Sequence, residues 1–74
     1  MDIDFIESRF NEIISELENE VMEILSDNSM DKKMTNLNMK PLSSVRQILE
    51  NALDSIKMVD RLSRDEIEKA MSNE

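Results

Sequence analysis

The sequence has no glycine, cysteine or histidine, and its only aromatic residues are two phenylalanines. Without histidine and cysteine, the chain lacks the usual general bases, thiolate nucleophiles and zinc ligands. Without glycine, it cannot form the glycine-rich loop that cradles phosphate groups. Its serines have no histidine to activate them as nucleophiles. We therefore expect a protein that is not an enzyme and that binds no cofactor, metal ion or small-molecule substrate.

The chain also has few large side chains from which to build a core. Its 74 residues suffice for one domain, spanning residues 1–74. A domain of this size buries only about 60% of the surface that its unfolded chain exposes. Because disulfides and structural zinc are excluded, self-association is the remaining common way to gain stability. We predict a homodimer, and the alternative is a marginally stable monomer with well-formed helices.

The acidic balance limits the location and the partners of the chain. Asp2, Asp4 and Glu7 stand where a signal peptide would have basic residues and an apolar run. No apolar run approaches the length of about 18 residues that a membrane-spanning helix needs. We therefore expect a cytoplasmic protein. The net charge of −8 disfavours direct binding to nucleic acid or to an anionic membrane, and it favours a basic protein surface as partner.

The first segment has the clearest helical pattern. Apolar residues recur at steps of three and four, which predicts an amphipathic helix over about residues 3–26, with Asp2 or Asp4 as its cap. These residues form the apolar stripe of the helix: Ile3, Ile6, Phe10, Ile13, Leu17, Val21 and Ile24. The turn-forming residues 26–29 predict its end.

The second half of the chain predicts two further helical segments. Pro41 disfavours helical backbone at Lys40, so we expect a connector over residues 27–42. A second amphipathic helix over about 43–62 follows from the spacing of its apolar stripe: Leu42, Val45, Leu49, Ala52, Ile56 and Val59. A capping box at Ser63 and Glu66 then favours a separate short helix over about 64–72. One continuous helix over 43–72 is the alternative, because Ile67 stays in phase with the stripe.

These patterns together predict an all-α fold. It has two main amphipathic helices and a short C-terminal helix, and we expect these to assemble as a homodimeric helical bundle.

Nearly all of the charge imbalance lies in the first 30 residues, which hold nine acids and one base. Five of the acids fall within an arc of about 80° beside the apolar stripe. We call them the acidic row: Glu12, Glu16, Glu20, Glu23 and Asp27. One interpretation is an ordinary solvated face. The other is a set of carboxylates about 6 Å apart along a helix, which can imitate the phosphates of DNA. Five apolar side chains could add contacts with a partner: Phe5, Met22, Met30, Met34 and Met39.

A short acidic chain without glycine, cysteine or histidine, with carboxylates in one stripe, resembles the small early proteins by which bacteriophages disable host DNA-binding proteins. Several of those proteins are DNA mimics, and the chain is similar in length and residue usage to the sliding-clamp inhibitors of staphylococcal phages. The resemblance implies a helical dimer that occupies the DNA channel of a bacterial sliding clamp. The alternative is a coiled-coil adaptor or assembly module with no connection to nucleic acid.

Overall fold

A computed structural model describes residues 1–72, which form two α-helices and no β-strand. Helix α1 spans Ile3–Ser26 and helix α2 spans Lys32–Ser72. The prediction of an all-α fold is confirmed. The two helices form a hairpin whose Cα atoms extend over 67 × 18 × 9 Å. The chain is therefore a long, thin pair of helices, and much of each helix faces solvent.

Local side-chain hydrogen bonds set both ends of α1. Asp2 caps its start, because a carboxylate oxygen of Asp2 accepts a hydrogen bond from the backbone N–H of Phe5 at 3.0 Å. At the other end, the backbone of Asp27 is extended. Its carboxylate accepts hydrogen bonds from the hydroxyl group of Ser29 and from the backbone N–H of Ser29, the latter at 2.9 Å. The chain has no glycine to end the helix, and an Asp side chain closes the turn instead.

The predicted connector over residues 27–42 is wrong, because α2 already begins at Lys32. Asp31 caps this start by accepting a hydrogen bond from the backbone N–H of Met34 at 2.8 Å. Pro41 lies inside the helix. The φ angle of proline suits a helix, so the residue removes one N–H donor, the partner of the Leu37 carbonyl, and does not end the helix.

The predicted break at Ser63 is also wrong, since residues 43–72 belong to one helix. The capping residues Ser63 and Glu66 could start a helix only if the chain first left one. No glycine or proline lies nearby to make it leave, and each further helical residue adds a backbone hydrogen bond. The separate short helix over 64–72 is therefore the last part of α2.

Two ion pairs set the register of the hairpin. Lys57 Nζ lies 2.9 Å from a carboxylate oxygen of Glu7, and Arg46 Nη2 lies 3.1 Å from one of Glu18. Residue numbers rise along α1 as they fall along α2, so the helices are antiparallel, and paired positions add up to about 64. The start of α1 is thus level with Arg61. Residues 62–72 project beyond it by about 16 Å, at 1.5 Å per residue.

The core of the hairpin is small. Leu53 is the only apolar residue of the described chain that is classed as buried, with 8% of its surface exposed. Asp60 is similarly buried, and its carboxylate lies 3.2 Å from Nε of Arg64. Leu17 and Leu49, which lie at the middle of the predicted stripes, are half-buried. The hairpin leaves much of the apolar surface of α2 open, because α1 covers only one side of that helix.

Candidate functional site: an acidic helix face

The acidic row follows one face of α1. Glu12, Glu16, Glu20 and Glu23 are helical and exposed. Within residues 1–72, the cations of α2 that reach α1 are Arg46 and Lys57, and they pair with Glu18 and Glu7. Those two acids lie on the other side of the apolar stripe at about 100° per residue. The structure thus neutralises the acids on one side of α1 from α2 and leaves the row without a cross-helix partner.

One cation lies in line with the row. Arg9 Nη1 is 3.1 Å from a carboxylate oxygen of Glu12, and both side chains are about 60% exposed. The guanidinium of Arg9 also lies 5.1 Å from the centre of the Phe5 ring. An exposed pair of this kind contributes about 0–1 kcal/mol to stability. The N-terminal end of the row is therefore partly neutralised, while Glu16, Glu20 and Glu23 keep their full negative field.

Asp27 differs from the other members of the row because it lies in the turn. The hydroxyl group and the backbone N–H of Ser29 donate hydrogen bonds to its carboxylate. These bonds favour the charged form and lower the pKa of Asp27 below its usual value of 3.8. Asp27 therefore remains charged at neutral pH, but one of its oxygens is engaged in closing the turn.

The structure adds polar residues that the sequence pattern did not single out. A shallow open groove runs along α1 beside Glu12 and Glu16, and the other side chains that line it are Asp4, Glu7, Ser8, Asn11 and Ser15. Hydroxyl and amide groups therefore lie next to the carboxylates. Their spacing of three and four residues is visible in the sequence and could have identified them. This face can form hydrogen bonds as well as electrostatic contacts.

The five apolar candidates do not form one surface. Phe5 lies in line with the acidic row and is 56% exposed. Met22 and Met39 instead line a groove between the two helices, on the side where Arg46 pairs with Glu18. Met30 is half-buried near the turn, and its sulfur accepts a hydrogen bond from the amide of Asn38. Met34 is exposed in the first turn of α2. Only Phe5 is placed to contact the same partner surface as the row.

The chemistry that this face offers is that of carboxylates, amides and hydroxyls. In the part of the chain that the structure describes, no three acidic side chains come together in a way that could hold a metal ion. Neither described helix combines the length and the apolar character needed to cross a membrane. No protein-family model, curated protein or solved structure matches this chain.

Proposed function

We propose that this chain is a non-enzymatic binding protein that uses the acidic row to occupy the basic, DNA-binding surface of another protein. The observation that carries the proposal is the exposure of Glu16, Glu20 and Glu23 along one helix face without a cation from α2. Like charges four residues apart cost an isolated helix about 0.2–0.5 kcal/mol per pair. A row that only served solubility would gain stability from an interspersed lysine.

The mechanism is competition with DNA. Lysine and arginine side chains that normally neutralise phosphates would instead contact carboxylates about 6 Å apart along α1. Exposed charges mainly raise the rate of association, so a lasting complex also needs apolar contact. Phe5 at the end of the row supplies it. From the resemblance noted above, the partner we propose is the bacterial DNA sliding clamp, with its DNA channel as the blocked site.

We further propose that the chain acts as a homodimer, which would present the row twice, and that it is cytoplasmic. If it is encoded by a phage, the host cytoplasm is the compartment where it would meet the clamp. Its partners are thus a second copy of itself and a basic protein, and not nucleic acid, membrane or a small molecule.

The experiment that tests this function replaces Glu12, Glu16 and Glu20 together with Gln. The variant keeps its shape and its hydrogen-bonding groups and should be at least as helical as the wild type, because repulsion along α1 is relieved. We expect its affinity for purified sliding clamp to fall by at least tenfold. The wild-type complex should weaken as salt rises to physiological strength, where the screening length is about 8 Å, and DNA should compete with it for the clamp.

The matched control removes the same number of charges elsewhere. Asp65, Glu66 and Glu68 lie in the projecting part of α2 and are exposed, so the triple variant D65N/E66Q/E68Q has the same net charge as the first variant. This control should bind the clamp as the wild type does. Equal loss in both variants would indicate a general effect of net charge. Unchanged binding in both, independent of salt, would remove the DNA-mimic proposal.

A second function is supported by a different observation. Helix α2 exposes Val45, Ile48 and Val59, which are 43%, 65% and 58% accessible. An apolar helix face of this kind is how coiled-coil adaptors and assembly modules bind other helices. Capture of a helical partner that is insensitive to salt and to the Glu-to-Gln changes would favour this adaptor function.

A further inference from the structure

The apolar stripe of α2 is wider than the contact with α1 requires. Leu49 and Ile56 are half-buried against α1, whereas Val45 and Val59 of the same stripe are exposed, and so is Ile48 beside them. At 100° per residue, the exposed residues lie on the side of α2 opposite to Arg46 and Lys57. Ile13 lies on the same side of α1 and is 45% exposed. We call these residues, with Ala52 between them, the apolar flank: Ile13, Val45, Ile48, Ala52 and Val59.

We propose that a second copy of this chain covers the apolar flank, and that α1 of each copy lies antiparallel on α2 of the other. The two-fold axis then runs along the helices. The product is a four-helix bundle in which the two α2 helices are parallel and diagonally opposite. The inference rests on the homodimer proposed above and specifies the surface and the geometry by which the dimer forms.

Charge distinguishes this arrangement from the other two-fold packing. On α1, the edge of the apolar flank carries the acidic row. On α2, the corresponding edge over residues 33–62 carries no acid and contains these residues: Lys33, Lys40, Ser44, Asn51 and Ser55. Packing α1 on its own counterpart would bring two acidic rows together, at a cost of like-charge repulsion. Packing α1 on the partner's α2 in the register of the hairpin instead brings Glu23 level with Lys40 and Glu20 level with Ser44.

The unequal length of the helices supports the same arrangement. Ile67 and Met71 lie in the projecting part of α2 and are 59% and 72% exposed. With the α2 helices parallel, both projections leave the bundle at the same end, where they can pack against each other across the two-fold axis. In the alternative packing they would point to opposite ends and remain uncovered.

The size of the flank is sufficient for a dimer at the lower end of the stable range. The flank extends from Ile24 to Ile6, which is about 27 Å along the helix, and the hairpin is 18 Å wide. Covering this area removes about 500 Å² from each copy, or about 1,000 Å² in total, and a specific interface needs about that much. Contact between the projecting segments adds to it.

The first test is the mass in solution of variants with a charge on either side of the hairpin. Wild-type protein should scatter light as a particle of twice the 8.6 kDa chain mass. Ile48→Glu should shift it to a helical monomer. Met22→Glu is the matched control, because Met22 is 62% exposed and lies on the side of the ion pairs, and it should leave the dimer intact. Dimers in all three proteins, or monomers in both variants, would overturn the proposed surface.

The second test uses the absence of cysteine from the sequence and stays informative if Ile48→Glu fails to fold. Ser63 lies just beyond the start of α1 on the side of α2 that faces the two-fold axis, so oxidised Ser63→Cys should form a covalent dimer rapidly. Ser15→Cys, on the outer face of α1, should not. Equal cross-linking of both would contradict the geometry. A wild-type monomer at every concentration would remove the homodimer itself, and clamp binding by the triple Gln variant tests the acidic row separately from either result.

Discussion

The hairpin depends on Leu53 more than on any other apolar side chain of the described chain. Replacing it with alanine removes buried methylene groups and leaves a cavity, which in protein cores costs about 2–5 kcal/mol. The upper part of that range requires rigid surroundings. Leu53 is 8% exposed, but its neighbours Leu49 and Ile56 on α2 are only half-buried and can move inward. We therefore expect Leu53→Ala to lower the free energy of unfolding by about 2–3 kcal/mol.

This loss is large for so short a chain. At about 0.05–0.15 kcal/mol per residue, 74 residues give a total stability of about 4–11 kcal/mol. The assay is urea unfolding followed by far-ultraviolet circular dichroism, at one fixed protein concentration because self-association would add to the stability. The midpoint should fall markedly, and the slope of the transition should stay the same if the denatured state is unchanged.

The control for this prediction is Leu25→Ala. Leu25 is 56% exposed near the end of α1, so its truncation should cost less than about 1 kcal/mol. If the two substitutions have equal effects, Leu53 is not the centre of the core. The register deduced from the Glu7 and Glu18 ion pairs would then be wrong.

Two other substitutions test the ends of the argument about the turn and α2. Pro41→Ala restores a donor for the Leu37 carbonyl, and after allowing for the more flexible unfolded chain it should raise the free energy of unfolding by about 2 kcal/mol. An unchanged or lower urea midpoint would show that Pro41 is already accommodated without cost. Ser29→Ala should raise the pKa of Asp27 towards its usual value, because the hydroxyl group is the main cause of its lowering. A carboxyl titration by carbon NMR measures this, and Ser15→Ala should leave that pKa unchanged. Since the folded-state pKa is the lower one, the charged Asp27 stabilises the turn above about pH 4, and this contribution is lost as the pH falls through the folded-state pKa.

The start of α1 was predictable because its signals are local. The apolar spacing and the Asp2 cap act within a few residues, and the structure contains the corresponding hydrogen bond. The signals at Pro41 and Ser63 are also local, but they only permit a boundary. Proline fits the geometry of a helix, and a capping box requires an end to cap, so both yield where the helix continues to gain hydrogen bonds.

The distribution of burial could not be predicted in the same way. Leu53 and Ile48 both flank the stripe of α2, yet Leu53 is buried and Ile48 is 65% exposed. Which of them faces α1 depends on the rotation and register of the other helix, and those follow from pairs such as Arg46 with Glu18, 28 residues apart in sequence. For the acidic row, the positions were visible from spacing alone. The absence of compensation from α2 required knowing that Arg46 and Lys57 face the opposite side.

A helix that is longer than its neighbour does not open uniformly. The amides of α2 near Leu53 are protected by packing against α1, whereas those near Ser72 are held only by the helix itself. The free energy of local opening should therefore decline along residues 62–72, so that amide hydrogen exchange becomes faster towards the end of the helix. A molecule that binds these last turns must order a fraying segment, and part of its binding energy is spent on that ordering. The same segment would consequently report binding as a loss of exchange, far from the acidic row.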